Sequence, residues 1–224
     1  MERFVICKAA AVPLDQANID TNQLCPTRFN KLAKGPSFAK VLFHDLRFTP
    51  DGAEKPDFIL NQARYRKAGI IVADQNFGCG SSRESAVYAL ATFGIRSIIA
   101  PSFGDIFFNN CVKNSVLPVV LDADVCATIR AQLRAQAGAE ITVDLERQVV
   151  TDVEGGEHAF AFHPLRRRCL LEGLDDISLT AQFLDVIHPF EVAYRRKFPW
   201  LTPPLLGTTA KTSASHDPES EASP

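Results

Sequence analysis

Two hydrophobic rhythms divide this chain. Residues 68–74, Ala-Gly-Ile-Ile-Val-Ala-Asp, form a short β-branched run that reads as a buried strand. Ala86, Leu90 and Phe93 follow at helical spacing, with Gly94 placed to end the helix. Residues 97–100 predict a second such strand, 105–111 a helix and 117–120 a third strand, an order that implies parallel strands joined by right-handed crossovers. A helix is predicted over 122–137, with Asp122 as N-cap, Val125, Ile129 and Leu133 on one face and Gly138 at the stop. The rhythm then changes to period two. Residues 140–153 and 158–162 alternate around Glu154-Gly155-Gly156-Glu157 and predict an antiparallel hairpin. A helix beginning at Pro164 and a last helix over 180–197 follow, and loose alternation over 3–12 predicts a first strand.

Residues 31–66 have neither rhythm. Pro36, Pro50, Asp51-Gly52 and Pro56 mark turns, and Phe38, Leu42, Phe43, Leu46 and Phe48 are the expected apolar anchors. A connection of this length beside an active site is often a lid or a specificity loop.

The stretch Asn76-Phe77-Gly78-Cys79-Gly80-Ser81-Ser82-Arg83-Glu84-Ser85 joins the first of these strands to its helix. Such a turn aims backbone N–H groups and the positive end of a helix dipole at whatever lies above the strand end. Gly78 and Gly80 are expected to leave room for a ligand close to the backbone. Two readings stand side by side. In one, Ser81 is an N-cap and Glu84 its capping-box partner. In the other, Ser81, Ser82 and Arg83 bind and act on an anion, because a guanidinium fork fits a carboxylate and a helix start has no electrostatic use for a cation. Ser102-Phe103, after the next strand, is expected beside this loop, since ligands of open α/β sheets gather at the carboxyl ends of strands.

Composition narrows the class. With 224 residues and 46% hydrophobic content the chain can bury a full core, and a net charge of −2 gives no footprint for nucleic acid. No run approaches a membrane span, and residues 1–8 lack the organisation of a signal peptide, so the expected compartment is the cytoplasm. The cysteines Cys7, Cys25, Cys79, Cys111, Cys126 and Cys169 are scattered, without a Cys-x-x-Cys pair, and this chain alone is not expected to hold a metal cluster. Cys79 is read as shaping its loop, since no histidine follows it as a base. The three arginines 166–168 point in different directions around a helix and read as a solvated face rather than an anion site. From Thr202 onward Pro, Ser, Thr, Ala and Glu dominate without apolar periodicity, which predicts a disordered tail over 202–224 after a domain of 1–201.

Residues 76–84, Asn-Phe-Gly-Cys-Gly-Ser-Ser-Arg-Glu, resemble the active-site loop of the small-subunit family of 3-isopropylmalate dehydratase, in the aconitase superfamily. Three more segments carry the likeness: Asp20-Thr21-Asn22-Gln23-Leu24-Cys25-Pro26-Thr27-Arg28-Phe29, residues 99–107, and Gly173-Leu174-Asp175-Asp176-Ile177-Ser178-Leu179-Thr180. The resemblance implies an α/β fold, a three-layer β/β/α swivelling domain of the aconitase type with a mixed sheet. It implies a hydro-lyase that interconverts 2-isopropylmalate and 3-isopropylmalate by dehydration and rehydration in leucine biosynthesis. Ser81 would be the base, with Arg83 as a carboxylate clamp, and Ser82, Arg28 and Thr21 would bind the small dicarboxylate substrate. A [4Fe–4S] cluster would be carried by a large subunit, the partner in a heterodimer, and not by this chain. Asn22, Cys25 and Ser85 depart from the family's usual aspartate, aliphatic residue and histidine. A relative acting on another 2-substituted malate or maleate, or a non-catalytic anion-binding subunit, therefore stays open.

Overall fold

The computed structural model of the chain describes residues 1–80 and 83–201. Met1–Leu179 forms one compact unit and Thr180 opens a second. In chain order the elements are β1 (Ile6–Pro13), α1 (Thr21–Leu24), α2 (His44–Arg47), β2 (Ile70–Val72), α3 (Ser85–Phe93), β3 (Ser97–Ala100), α4 (Asp105–Lys113), β4 (Leu117–Val120) and α5 (Ala123–Ala135). β5 (Glu140–Asp144), β6 (Val149–Thr151), β7 (Glu157–Ala159), α6 (Pro164–Glu172), α7 (Asp176–Ala181) and α8 (Leu184–Lys197) complete them. The expected disordered tail, 202–224, lies outside the described residues.

One mixed sheet of seven strands runs β4-β3-β2-β1-β5-β6-β7. β1 to β4 pair in parallel, Ala11 opposite Ile70, Ile70 opposite Ser97 and Ser97 opposite Leu117. β1 also pairs antiparallel with β5, and β5, β6 and β7 continue as an antiparallel meander. The continuous apolar run of β2 follows from burial on both faces. Ile71 joins Val12, Ile98, Ala86, Val87 and Leu90 in the core on one face, and Ile70 and Val72 join Ile99, Val119, Cys126, Ile129 and Leu133 on the other.

The sheet curls until its ends approach. Phe162, after β7, meets Phe108 of α4 with ring centroids 6.0 Å apart, and Val120 and Leu121 share a cleft with Ala159 and Phe160. The antiparallel half thereby contributes Ile141, Val143 and Val150 to the core shared with Ile70 and Val72, while α1, α3 and the 31–66 segment cover the opposite face. This is the β/β/α layering that the family resemblance implied.

Three elements differ from the sequence reading. The predicted first arm of the hairpin, 140–153, is itself bent into β5 and β6, with Gln148 at φ 55° in the left-handed region and Arg147 N–H capped by Asp144 at 2.8 Å. The predicted last helix breaks at Gln182-Phe183 into α7 and α8. In the 31–66 segment the expected anchor Leu46 is exposed, and its neighbour Arg47 is buried instead. Arg47 donates to Asn61 Oδ1 and to the carbonyls of Ala39 and Leu42, while Asn61 Nδ2 donates back to the carbonyls of Arg47 and Lys55. A buried charge held by three hydrogen bonds thus fixes a segment that has little regular structure of its own. The three arginines of α6 diverge as expected: Arg166 over Phe108, Arg167 to the carbonyls of Leu145 and Glu146, Arg168 to Glu172.

Candidate active site

Three chain segments leave the carboxyl ends of parallel strands and run together. After β2, the loop Asn76–Gly80 lies between the segment after β1 and the segment after β3. On one side, Asn18 N–H donates to Gln75 O, Asn76 Nδ2 to Asn18 Oδ1 at 2.7 Å, Gly78 N–H to Ile19 O at 2.7 Å and Thr21 N–H to Cys79 O at 3.0 Å. On the other, Asn76 N–H donates to Ser102 Oγ at 2.8 Å, Phe77 N–H to Ser102 O and Gly104 N–H to Phe77 O. Three motifs separated in sequence thus become one hydrogen-bonded platform, with Ser102-Phe103 beside the loop as expected.

The glycines serve different ends. A β-carbon on Gly78 would stand 2.2 Å from Cγ of Phe107, and Gly78 has φ 72°. The room left by Gly78 is therefore filled by the Phe107 ring and not kept for a ligand, which corrects the sequence expectation at that position. Gly80, at φ 93°, has among the described residues the Asp20 and Thr21 side chains 3.8 Å from its would-be β-carbon, an ordinary contact distance, so its backbone conformation is what requires glycine.

Asp20 caps α1 in a complete capping box: its carboxylate accepts from Gln23 N–H at 2.8 Å, and Gln23 Oε1 accepts from Asp20 N–H at 3.2 Å. Thr21, the first residue of α1, is buried against Gly80. The helix after the loop starts at Ser85, with Glu84 at its N-cap and no side-chain cap bond. Glu84, the expected capping-box partner of Ser81, thus stands at the N-cap itself. Its carboxylate accepts from Asn114 Nδ2 at 2.9 Å and pairs with Lys34, contacts that hold it below the usual carboxylate range, the Asn114 hydrogen bond foremost. Ser81 and Ser82 lie outside the described residues.

Arg83 precedes the helix and reaches back to the α1 region. Its two terminal nitrogens donate to Thr27 Oγ1 and Asn22 Oδ1, and Thr27 Oγ1 in turn donates to Asn22 Oδ1 at 2.9 Å. Asn22 and Thr27 were not singled out for this contact, because partners 56 and 61 positions from Arg83 leave no local signal. Beside them, burial pushes the Cys25 thiol up, and a Ser85 hydrogen bond and the Arg83 charge pull the other way; Ser85 Oγ also donates to Asn30 Oδ1 at 2.8 Å. The three departures noted in the sequence, Asn22, Cys25 and Ser85, are therefore neighbours around Arg83.

Arg28 is on the same stretch but makes a different contact. It sits over the Phe29 ring, 4.6 Å from its centroid, and both terminal nitrogens grip the two oxygens of Asp45, with Nη1 3.0 Å from Oδ2. His44 Nδ1 lies 3.2 Å from Asp45 Oδ1 and 3.3 Å from Arg28 Nη2. The Arg28 hydrogen bonds hold the Asp45 carboxyl down at about 2. Among the described residues no three His, Cys, Asp or Glu side chains converge on a point where a metal could sit.

Strand ends, a glycine turn and an arginine gathered on a curled mixed sheet define the class: a swivelling domain of the aconitase type. A family model described as the aconitase C-terminal domain matches residues 1–124, and one described as LeuD_N matches 127–164. The 3-isopropylmalate dehydratase small subunit of Gluconacetobacter diazotrophicus is 52% identical over 202 residues, covering 90% of this chain and 98% of the relative. The protein of the same name from Paramagnetospirillum magneticum is 48% identical over 201 residues, 90% of this chain and 100% of the relative. A crystal structure of 3-isopropylmalate dehydratase from Methanocaldococcus jannaschii superposes with a TM-score of 0.62 at 23% identity, over 82% of this chain and 99% of that one, and so shares the fold. The chain belongs to the family of 3-isopropylmalate dehydratase small subunits.

Proposed function

We propose that this chain supplies half of the active site of a hydro-lyase that interconverts 2-isopropylmalate and 3-isopropylmalate through the dehydrated alkene, in leucine biosynthesis and in the cytoplasm. The observation that carries the reading is the platform of residues 18–21, 76–80 and 102–104, with Arg83 anchored at its side by Asn22 and Thr27. The alignment of relatives over about 201 residues supports taking 1–201 as the functional domain.

Removing a proton next to a carboxylate requires a base and stabilisation of the charge that builds on that carboxylate. In this reading Ser81 is the base, and Ser82, Thr21 and the clamps Arg83 and Arg28 bind the dicarboxylate. A serine hydroxyl works as a base only when its alkoxide is stabilised, and the guanidinium of Arg83, two positions on in the sequence, and the amides of a glycine-flanked turn are suited to that. A [4Fe–4S] cluster, assigned here to a large-subunit partner, would supply a Lewis acid for the departing hydroxyl. This chain's residues hold the carboxylates and move the proton.

Ser81→Ala in the two-subunit enzyme tests the assignment. Loss of a base lowers turnover at least ~100-fold, with the melting temperature nearly unchanged. An active but destabilised variant, missing about 0.5–2 kcal/mol, would mark Ser81 as a helix cap instead.

The clustering of Asn22, Cys25 and Ser85 around Arg83 favours one second reading, a small subunit for another 2-substituted malate. Comparing kcat/KM for 2-isopropylmalate and 2-methylmalate decides between them: a preference for the isopropyl substrate removes the second reading.

A further inference from the structure

Arg28 is held by a carboxylate of its own chain in the geometry a substrate carboxylate would use. The fork-to-fork contact with Asp45 occupies both terminal nitrogens of the guanidinium, the same edge that grips a carboxylate ligand bidentately. Both side chains are more than half exposed, 54% for Arg28 and 57% for Asp45, so solvent screens the pair and it is easily exchanged. Asp45 is held in place independently of Arg28. It lies on α2, whose last residue Arg47 is locked by Asn61 and the carbonyls of Ala39 and Leu42, and Lys55 Nζ donates to the Asp45 carbonyl at 2.9 Å. His44 stands 3.2 Å from Asp45 Oδ1, between the rings of Phe29 and Phe48, and remains a hydrogen-bond partner for Asp45 when Arg28 turns away. The cleft beside the pair, about 560 Å³, is lined by Arg28, His44, Asp45, Thr49, Asp51 and Lys55.

We propose that Asp45 is an internal competitor for Arg28: it parks the guanidinium in the empty enzyme and yields it to a substrate carboxylate, thereby setting the affinity for the dicarboxylate. The proposal rests on the reading of Arg28 as a substrate clamp. Asp45 touches neither substrate nor reacting atoms in this scheme, so it is a positioning residue whose effect falls on KM and not on kcat. Its loss removes a competing ion pair and strengthens substrate binding. An exposed pair contributes at most about 1 kcal/mol, which corresponds to about a fivefold change in affinity.

The test is steady-state kinetics of the assembled two-subunit enzyme with 2-isopropylmalate, comparing Asp45→Asn, Asp45→Glu and Arg28→Lys. Asp45→Asn is expected to lower KM about two- to fivefold at unchanged kcat, Asp45→Glu to return KM toward the parent value, and Arg28→Lys to raise KM. Asp45→Ser, assayed beside them, keeps the comparison open if the asparagine variant folds poorly. A raised or unchanged KM in both neutral Asp45 variants, together with a raised KM in Arg28→Lys, overturns the competitor role and leaves Arg28 as a clamp. An unchanged KM in Arg28→Lys overturns the clamp reading itself, and the competitor role with it.

Discussion

The ring of Phe107 fills the volume in which a β-carbon on Gly78 would stand, 2.2 Å from its Cγ. Phe107 is buried and stacks edge-on against Phe77, centroids 5.6 Å apart, so α4 is seated directly on the glycine turn. Gly78→Ala therefore combines a left-handed backbone, about 1–2 kcal/mol, with overpacking against a confined ring, about 1–3 kcal/mol. A loss of about 2–5 kcal/mol in denaturant melts is expected, with activity falling in parallel because the loop must shift. A variant as stable as the parent would show that the turn is looser than this contact requires.

Arg83→Lys exchanges a two-pronged donor for a point charge. Lysine cannot reach Asn22 and Thr27 together and still present a fork to a carboxylate. The expected fall in kcat/KM of the assembled enzyme corresponds to about 1.5–3 kcal/mol, the worth of a hydrogen bond to a charged group. Near-parental kinetics would make Arg83 a purely structural contact to the α1 region.

Asp152 pins the turn between β6 and β7. Its carboxylate takes hydrogen bonds from the N–H groups of Glu154 and Gly156 at 2.9 and 2.8 Å and lies 2.8 Å from His158 Nε2. Burial pushes this carboxyl up, but the His158 contact and the other hydrogen bonds outweigh it and hold the group below the usual 3.8. A depressed carboxyl stabilises the fold above the unfolded-state value and loses that contribution as pH falls through the folded-state value. Asp152→Ala should therefore cost about 1–3 kcal/mol at pH 7. The gap between variant and parent melting temperatures should close as pH is lowered below 3.8. A gap independent of pH would assign the loss to packing.

The parts of the fold legible in the sequence were those with local causes. Ile70-Ile71-Val72 is apolar throughout because both its faces are covered, and Gly94, at φ 113°, ends α3 where its position suggested. The turn at 145–148 was hidden because it contains no glycine or proline and Gln148 takes the left-handed conformation. The break at Gln182-Phe183 lacked a marker for the same reason. At the site, the hydrogen bond from Asn114 to Glu84 spans thirty positions and has no local signal. The contacts of Arg28 with Asp45 and of Arg83 with Asn22 and Thr27 come from the tertiary fold, which no window of sequence contains. The buried Arg47 was masked by its charge, since a charged residue is read as solvated until its partners are known.

The split site is tested most directly by reconstitution. Purified alone, this chain should be colourless, free of iron and without dehydratase activity. Titrated into a cluster-loaded large subunit, it should restore conversion of 2-isopropylmalate until one small subunit is present per large subunit, with no further rise beyond that ratio. A brown, iron-containing preparation of this chain that is active by itself would contradict the division of the site between two polypeptides.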